Sequence, residues 1–339
     1  MRNDEEEGGH CAVISVIIPT YNSASTIDRV LNALFQQRGI EKDEYEVLIV
    51  DDCSTDNTLE IVKNFSIRLI SLDKNLGPAV ARNRGVKEVK GELVAFIDSD
   101  VILKDGALLI VKKKFAERPD ISALVGIYAE KPANSGPFRS YLALRKYSNW
   151  FDPRREFISF LAGSLTVIKK DIFLEFGGFD NRYRGASVED FELGYRITNR
   201  YKILLADDIQ GYHYFPSFAK TVKNFFKRTF QWIELFARRK KFSTAAATTK
   251  KRAIANLAGF ISLIMLIFSI RYSFLFVFAF FGFMVFLLGN LKFYSFVVQK
   301  KGVIFLLYAL VLDYIFALVV GVAALLSVIN QCRLRVMPK

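Results

Sequence analysis

Cysteine and histidine are scarce in this sequence of 339 residues, which contains three of the former and two of the latter. The cysteines, Cys11, Cys53 and Cys332, lie far apart and lack the short spacing of metal ligands. A disulfide framework and a zinc site are therefore not expected, and a reducing compartment is the default. The acidic, polar residues 1–12 lack the basic start and apolar core of a secretory signal. We expect them to form a disordered tail on a domain that stays in the cytoplasm.

Apolar residues are abundant instead: they make up 52% of the chain, which includes 32 phenylalanines. This composition excludes a disordered protein and argues against a purely soluble one. The net charge of +13 is unevenly spread, because residues 217–252 carry eleven Lys and Arg against one acid, whereas residues 1–216 carry 29 against 32 acids. Basic charge beside an apolar region fits a membrane surface better than nucleic acid. We therefore expect membrane lipids, and no nucleic acid, among the partners.

Three long apolar runs, 253–270, 272–291 and 303–329, follow the basic segment. Runs of this length match the thickness of a bilayer, so residues 253–330 are predicted to form about three transmembrane helices, followed by a basic tail at 331–339. The basic residues before the first run place the N-terminal domain on the cytoplasmic side of a multi-pass membrane protein. Asp313, the one charge in the third run, is either a functional intramembrane carboxylate or a polar contact between helices.

The basic segment 217–252 is predicted to be an amphipathic helix followed by a linker. Phe218, Val222 and Phe225 recur on one side of the helix, and lysines interleave with them. This pattern is typical of a helix that lies in the membrane interface. A surface helix packed on the core has the same pattern, but the neighbouring apolar runs favour the interface.

Residues 13–216 alternate between β-type runs and helical stretches. The predicted strands are Val13–Ile18, Glu46–Val50, Arg68–Ser71, Leu93–Ile97, Ile121–Ala129, Phe160–Ile168 and Lys202–Tyr214. The predicted helices are Ser25–Gln37, Thr58–Phe65, Gly77–Val89, Asp105–Phe115, Phe138–Phe151 and Ser187–Asn199. The alternation predicts an α/β fold with a mostly parallel central sheet.

Polar residues directly follow three of the predicted strands, at Pro19–Asn22, Asp51–Ser54 and Asp98–Asp100. Ligands of parallel sheets bind outside the carboxyl ends of the strands, so these clusters predict one shared site. Asp98 and Asp100 are spaced so that both can reach a hard cation, and Mg²⁺ or Mn²⁺ held in this way can bridge the diphosphate of a nucleotide.

The motifs together resemble the family 2 glycosyltransferases, which have the GT-A fold. The resemblance covers about residues 13–215 and leaves out the apolar runs. It rests on four blocks that match in order and spacing, SVIIPTYN at 15–22, VDDCSTDNT at 50–58, NLGPAVARNRG at 75–85 and GELVAFIDSD at 91–100. Two further blocks, FGGFD at 176–180 and VEDFE at 188–192, match the family's acceptor side.

The resemblance implies a nucleotide-sugar donor site on the first strand ends. Pro19 and Tyr21 would frame the base, Asp52 would accept a hydrogen bond from it and Asp51 would hold the loop, while Asn83 would line the donor pocket. Other readings stay open for these positions. Asp51 and Asp52 could instead cap the helix near Thr58, although Asp56 or Ser54 could do so. Arg82 or Arg84 could equally contact phosphate.

The resemblance also implies a divalent-cation cofactor, Mg²⁺ or Mn²⁺. Asp100 would bind the metal, Asp98 would contact the donor and share in the metal site, and His213, after the last strand, would be a further metal ligand. A buried structural histidine is the alternative for His213.

Glu189 and Asp190 open a predicted helix, where two acids complement the helix dipole. Transfer of a sugar with inversion needs a carboxylate that deprotonates the acceptor hydroxyl. The resemblance implies that Asp190 is this base and that Glu189 orients the acceptor or the loop. Gly177 and Gly178 permit a tight turn nearby.

These expectations combine into a membrane-anchored inverting glycosyltransferase that uses a nucleotide-sugar, with UDP as the expected nucleotide, on a lipid-linked glycan or glycolipid of the cell envelope. A polyprenyl-phosphate sugar synthase is the alternative enzyme, and a non-catalytic nucleotide-binding membrane scaffold is disfavoured because all the acids are present. A long-polymer synthase is also disfavoured, because residues 228–232 read RTFQW rather than the Q-x-x-R-W block of processive members. A nucleotidyltransferase would need a glycine-rich basic loop after the first strand, and PTYNSAS contains none.

Overall fold

The fold is taken from a computed structural model that describes residues 13–152, 154–183, 185, 188–240 and 249–336. The predicted acidic tail, residues 241–248 of the linker and the end of the basic tail lie outside these residues. The chain divides into two units. The sheet unit comprises the chain up to Gly126 together with Leu161–Gly211, and the helical unit comprises Ile127–Phe160 together with the chain from Tyr212 onward.

Strands and helices alternate along the first two thirds of the chain. The strands are β1 (Ile14–Thr20), β2 (Tyr45–Asp51), β3 (Arg68–Ser71), β4 (Leu93–Ile97), β5 (Val101–Leu103), β6 (Ile121–Tyr128), β7 (Phe157–Ile158), β8 (Leu165–Lys169) and β9 (Lys202–His213). The helices are α1 (Ile27–Phe35), α2 (Thr58–Val62), α3 (Pro78–Glu88), α4 (Ala107–Glu117), α5 (Pro137–Trp150), α6 (Lys170–Glu175), α7 (Glu189–Ile197), α8 (Phe218–Arg239), α9 (Lys250–Ser269) and α10 (Leu275–Val336).

The central sheet has the strand order β3-β2-β1-β4-β8-β6-β9-β5. β1 pairs in parallel with both β2 and β4, and β2 pairs in parallel with β3, whereas β8 is antiparallel to β4 and β6. Every residue of β1 and β4 is buried, as expected for apolar strands covered on both faces. The predicted α/β fold with its mostly parallel central strands is confirmed.

The strand predicted at Phe160–Ile168 begins only at Leu165. The residues before it form a turn, in which the Thr166 hydroxyl donates to the Ala162 carbonyl oxygen at 2.5 Å and accepts from the Ala162 amide at 3.0 Å. A side chain that satisfies the backbone in this way competes with the sheet ladder. The short elements β5 and α6 were not predicted, because three and six residues are too few to show a period.

Helix α3 packs closely on the sheet at a glycine. A β-carbon at Gly85 would lie 2.6 Å from Ile17 Cγ2 and 3.2 Å from Val50 Cγ2, so only glycine lets the helix approach β1 and β2 at this distance. The residues that α3 presents at the sheet edge are thereby fixed relative to those two strands.

The helical unit contains the apolar C-terminal region. Among the described residues, two helices are long and apolar enough to span a membrane, Lys250–Ser269 and Leu275–Gln331. The second is interrupted at Gly302, whose φ of 80° and ψ of 178° are not helical. This break lies between the second and third predicted runs.

Asp313 lies in a buried polar contact within the helical unit. The carboxylate is 4% exposed, and its Oδ1 accepts a hydrogen bond from the Tyr141 hydroxyl at 2.5 Å and lies 3.2 Å from Arg145 Nε. Arg145 also donates to the Asn290 side-chain oxygen at 2.5 Å. The structure therefore favours the contact between helices over a functional carboxylate, and it pairs Asp313 with two residues of α5.

Helix α8 uses its predicted apolar side partly for packing. The rings of Phe218 and Phe225 lie 6.0 and 4.8 Å from that of Phe316 on α10. Phe226, by contrast, is exposed beside the exposed side chain of Lys223. The predicted helix is confirmed, with one side packed on the helical unit and an exposed side that is both basic and aromatic.

Replacement of Gly85 by valine is expected to lower the free energy of unfolding by about 1–3 kcal/mol, because the new side chain overpacks Ile17 and Val50. Denaturant unfolding of the full chain followed by circular dichroism measures this change. Lys87→Val on the exposed side of α3 is the matched control, with an expected change within about 0.5 kcal/mol. Equal losses in the two variants would contradict the close packing.

Candidate active site

The carboxyl ends of three neighbouring strands meet at one edge of the sheet. β1 lies between β2 and β4 and runs parallel to both, and Thr20 at the end of β1 pairs with Asp51 at the end of β2. The polar residues that follow these strands are therefore brought together, as the sequence predicts.

Asp51 holds the loop that follows β2. Its buried carboxylate accepts hydrogen bonds from the Ser54 amide at 3.0 Å, the Ser54 hydroxyl at 2.5 Å and the Thr20 hydroxyl at 3.2 Å. The cap of α2 comes from Asp56, which accepts from the Thr58 amide at 3.1 Å. Asp51 thus has the loop-holding contacts expected of it, and no helix-capping contact is needed from it.

Asp52 connects the second strand end to helix α3. Each of its carboxylate oxygens accepts one backbone amide, from Leu76 and from Gly77, both at 2.7 Å. Burial raises the pKa of the Asp52 carboxyl, and the two amides lower it by less, so the pKa lies above its ordinary value. Each oxygen keeps a further lone pair with which it can accept another hydrogen bond.

Pro19 and Tyr21 flank the end of β1 in different environments. Pro19 is buried within the strand opposite Val50, whereas the Tyr21 ring is 48% exposed. The next residue, Asn22, has a left-handed φ of 50°, and its side-chain oxygen accepts the Thr55 amide at 2.8 Å. Asn22 therefore ties the first loop to the second beside the Tyr21 ring. Asparagine adopts the left-handed conformation more readily than most residues, so an asparagine directly after β1 was the feature of the sequence that could have indicated this turn.

The Asp98-Ser99-Asp100 turn, called the DxD turn below, joins β4 to β5 and is anchored through its middle residue. The Ser99 hydroxyl lies 2.7 Å from that of Ser23, and the Ser99 carbonyl oxygen accepts the Thr26 hydroxyl at 2.7 Å. Asp98 and Asp100 stay partly exposed on either side of this anchor. The turn is thus held against the loop that carries Tyr21.

The carboxylates of this turn suit a hard divalent cation. Within the residues that the structure describes, no group of three or more His, Cys, Asp or Glu side chains is arranged to hold a metal. Mg²⁺, however, is commonly bound by one or two carboxylates together with substrate phosphates and water. Asp98 and Asp100 provide such a pair, so the residues present fit the ion that the sequence predicts.

His213 lies at the end of β9 in the helical unit. Its ring lies 4.5 Å from the Tyr128 ring and 4.4 Å from the Phe215 ring. These ring contacts match the structural alternative for this histidine, and its role as a metal ligand stays a prediction.

Glu189 and Asp190 open helix α7 and face different partners. Asp190 Oδ2 accepts the Gly163 amide at 2.9 Å, while Glu189 is 4% exposed and its Oε1 lies 3.1 Å from Arg82 Nη1. The backbone of Gly163 therefore fixes the Asp190 carboxylate, and a buried ion pair fixes that of Glu189.

Arg82 is the functional residue that the sequence left undecided. Its guanidinium is 3% exposed and donates to Asp98 at 2.6 Å and to Glu189 at 3.1 Å, whereas Arg84 pairs with Glu88 on the exposed side of α3. Burial lowers the pKa of Arg82, but Asp98 and Glu189 raise it by more, so Arg82 stays charged. Arg82 thus joins the DxD turn to the start of α7.

Asn83 holds the loop that contains the FGGFD block. Its side-chain amide donates to the Phe179 carbonyl oxygen at 2.7 Å and accepts the Phe179 amide at 2.9 Å. Gly177 and Gly178 have left-handed φ angles of 70° and 69°, which confirms the tight turn expected there. Asn83 is therefore occupied with this loop, and its place in a donor pocket stays a prediction.

The sheet, its strand-end loops and the DxD turn define a GT-A-like α/β fold. Residues 15–177 match the family model described as glycosyl transferase family 2. This part of the chain therefore contains a family 2 glycosyltransferase domain, as the sequence motifs indicate.

Two relatives show how much of other chains the similarity covers. Poly(ribitol-phosphate) beta-N-acetylglucosaminyltransferase TarS of Staphylococcus aureus strain Mu50 is 44% identical over 106 residues, which are 28% of this chain and 18% of TarS. Validoxylamine A glucosyltransferase of Streptomyces hygroscopicus subsp. jinggangensis strain 5008 is 31% identical over 220 residues, 56% of this chain and 52% of the relative. The match therefore spans about half or less of these relatives.

Two solved structures share the fold. The mannosyltransferase PcManGT of Pyrobaculum calidifontis, in complex with GDP-Man and Mn²⁺, has a TM-score of 0.57 at 18% identity and covers 94% of this chain and 88% of its own. TarS 1–349 of S. aureus, in complex with UDP-GlcNAc, has a TM-score of 0.50 at 21% identity, and the match covers 91% of this chain and 90% of the TarS chain. At these identities the likeness concerns the fold alone.

Replacement of Arg82 by glutamine is expected to cost about 3–5 kcal/mol of unfolding free energy, because it leaves two carboxylates without their buried cation. Arg84→Gln makes the same change two positions away, where the exposed pair with Glu88 contributes no more than about 0.5 kcal/mol. Denaturant unfolding of both variants measures the difference. An Arg82 variant as stable as the Arg84 variant would show that the ion pairs do not hold the site.

Proposed function

We propose that the protein is an inverting, divalent-cation-dependent glycosyltransferase that moves a sugar from a nucleotide-sugar, with UDP as the nucleotide, to a membrane-associated acceptor. The single observation that carries the proposal is the placement of Asp190. Its carboxylate is fixed by the Gly163 amide in the same unit as the DxD turn, and Arg82 joins that turn to Glu189, the residue before Asp190. A base and a diphosphate site on one sheet edge are what glycosyl transfer requires.

The donor would bind along the strand ends. The exposed Tyr21 ring can stack on the base, and Asp52 can accept a hydrogen bond from a uracil imide N–H while it holds the start of α3. The TarS structure contains UDP-GlcNAc, which supports a UDP-sugar here. Asp98 and Asp100 would hold the cation, which neutralises the charge of the leaving diphosphate. The PcManGT structure contains Mn²⁺ and supports this requirement.

The reaction would depend on Asp190 as the general base. The carboxylate would take the proton of the acceptor hydroxyl as that oxygen attacks the anomeric carbon. The bond from this carbon to the diphosphate oxygen breaks on the opposite face, and the nucleoside diphosphate leaves with the electron pair. The leaving group needs no protein acid, so one base is sufficient, and attack from the opposite face inverts the anomeric configuration.

The helical unit supports a membrane-associated acceptor. Large apolar side chains are exposed along α9 and α10, including Ile267 at 57% and Ile304 at 87%. The interruption at Gly302 supports three spans rather than two, and the basic segment before α9 supports a sheet unit on the cytoplasmic side. The exposed basic and aromatic side of α8 supports contact with the membrane surface. A lipid-linked glycan or glycolipid is the acceptor class that fits, and the name of TarS, a transferase for poly(ribitol-phosphate), points to envelope glycans.

Asp190→Asn is expected to lower the rate of sugar transfer by about 10²–10⁴-fold with donor affinity unchanged, because the amide keeps the shape but cannot take the proton. Transfer rate and UDP affinity of the detergent-solubilised full chain measure both effects. Glu60→Gln, which removes an exposed first-turn carboxylate from α2, is the matched control. If Asp190 served only the helix dipole, the variant would lose about 0.3–1 kcal/mol of stability and keep its transfer rate. That result would remove Asp190 as the base.

Chelation by EDTA is expected to abolish transfer, and added Mg²⁺ or Mn²⁺ to restore it, because without the divalent cation the diphosphate would lie against the carboxylates of Asp98 and Asp100 with no metal charge to offset the repulsion. Asp100→Asn should lose transfer at every metal concentration while it keeps the wild-type unfolding curve. Full turnover in EDTA would contradict the role of Asp98 and Asp100.

A further inference from the structure

The Arg82 guanidinium is fixed from four directions within the sheet unit. Its two terminal nitrogens donate hydrogen bonds to the carboxylates of Asp98, at 2.6 Å, and Glu189, at 3.1 Å. The Phe179 ring lies 5.6 Å from its central carbon, and the backbone of Gly163 lies against the group. A β-carbon at Gly163 would come within 2.8 Å of the central carbon and of both terminal nitrogens. A side chain at position 163 would therefore displace the guanidinium or the backbone beside it.

These contacts close into a ring that includes the proposed base. Gly163, which packs against Arg82, donates its amide to Asp190 at 2.9 Å. Asp190 follows Glu189 in the chain, and Glu189 returns to Arg82. A shift of the guanidinium would therefore reach Asp190 along two routes, through the start of α7 and through the Gly163 backbone.

The other side of the guanidinium holds the donor end of the site. Asp98 belongs to the turn that would face the diphosphate. It is separated from Arg82 by 16 positions in the sequence, whereas Glu189 is separated from Arg82 by 107. One cation thus links a residue for the donor with the helix that carries the base for the acceptor.

We propose that Arg82 is a positioning residue that couples cleavage of the donor to transfer onto the acceptor. This inference rests on the proposed function. With Arg82 in place, the Asp190 carboxylate stays in register with the anomeric carbon. When the link is loosened, the acceptor hydroxyl loses its aligned base, and water takes its place more often. The water oxygen then bonds to the anomeric carbon, the bond to the diphosphate oxygen breaks, and the water proton goes to solvent, so that free sugar and nucleoside diphosphate are released.

Three variants loosen the link and leave the proposed base Asp190 and the carboxylates of Asp98 and Asp100 unchanged. Gly163→Ala displaces the guanidinium and changes no charge. Glu189→Gln removes one partner of Arg82 and leaves its pair with Asp98. Arg82→Lys keeps the positive charge, but an ammonium group cannot donate to Asp98 and Glu189 with the geometry of the guanidinium. Arg84→Lys is the matched control on the same helix. The probes are radiolabelled UDP-sugars that the wild type turns over, membrane lipid extract as acceptor, and UDP with Mg²⁺ for affinity.

We expect transfer by the three variants to fall by about 10–100-fold, because misplacement by about 1 Å can cost a factor of 10². Hydrolysis of the donor should fall by less than threefold, so the ratio of hydrolysis to transfer rises at least threefold, and UDP affinity should stay within twofold for Gly163→Ala and Glu189→Gln. Arg82→Lys combined with Glu189→Gln should lose no more transfer than Arg82→Lys alone, because both act through one link.

The inference is overturned if transfer and hydrolysis fall in the same proportion in Gly163→Ala and Glu189→Gln, or if the double variant shows the product of the two single losses. A purely structural role would give one of these results. A wild-type protein that turns over no UDP-sugar would instead count against the proposed function, so the two failures are distinguishable.

Discussion

A buried guanidinium that must stay paired is the constraint on which the site depends. Arg82 is 3% exposed and lies between Asp98 and Glu189, so a displacement of either carboxylate would leave charge without a partner in the interior. Such a loss costs several kcal/mol, whereas the intact arrangement gains mainly a unique geometry. Helix α3 supplies this cation, and Leu76 and Gly77, directly before its first residue, donate their amides to Asp52. One helix and the two residues before it therefore fix the loop after β2, the DxD turn and the start of α7.

The sheet makes this arrangement possible because parallel neighbours end at the same edge. β2, β1 and β4 deliver their polar ends together, and Gly85 lets α3 approach the first two strands. The helical unit contains a second buried charge contact, in which Asp313 of α10 meets Tyr141 and Arg145 of α5. α5 is encoded within the stretch whose motifs form the sheet, yet it belongs to the unit of the apolar helices. Each unit thus has its own buried ionic contact between elements distant in sequence.

Much of the fold could be predicted from the sequence because the inner strands are continuous apolar runs. β4 begins and ends where its apolar residues do, and the glycine and acid motifs indicate the family. The late start of β8 could not be predicted, because the Thr166 hydroxyl occupies the backbone before it. The partners of Arg82 and Asp313 could not be predicted either, since they lie between 16 and 172 positions away and a single sequence does not show which distant charges meet.

The proposed function is tested most directly by the release of nucleoside diphosphate from a panel of nucleotide-sugars. The full chain in detergent, with Mg²⁺ or Mn²⁺ and membrane lipid extract, is expected to release UDP from one sugar donor and to place that sugar in the lipid fraction. Asp190→Asn should bind UDP but leave the lipid fraction unlabelled. A folded wild-type protein that binds UDP with Mg²⁺ and yet releases no nucleoside diphosphate from any donor would contradict a glycosyltransferase.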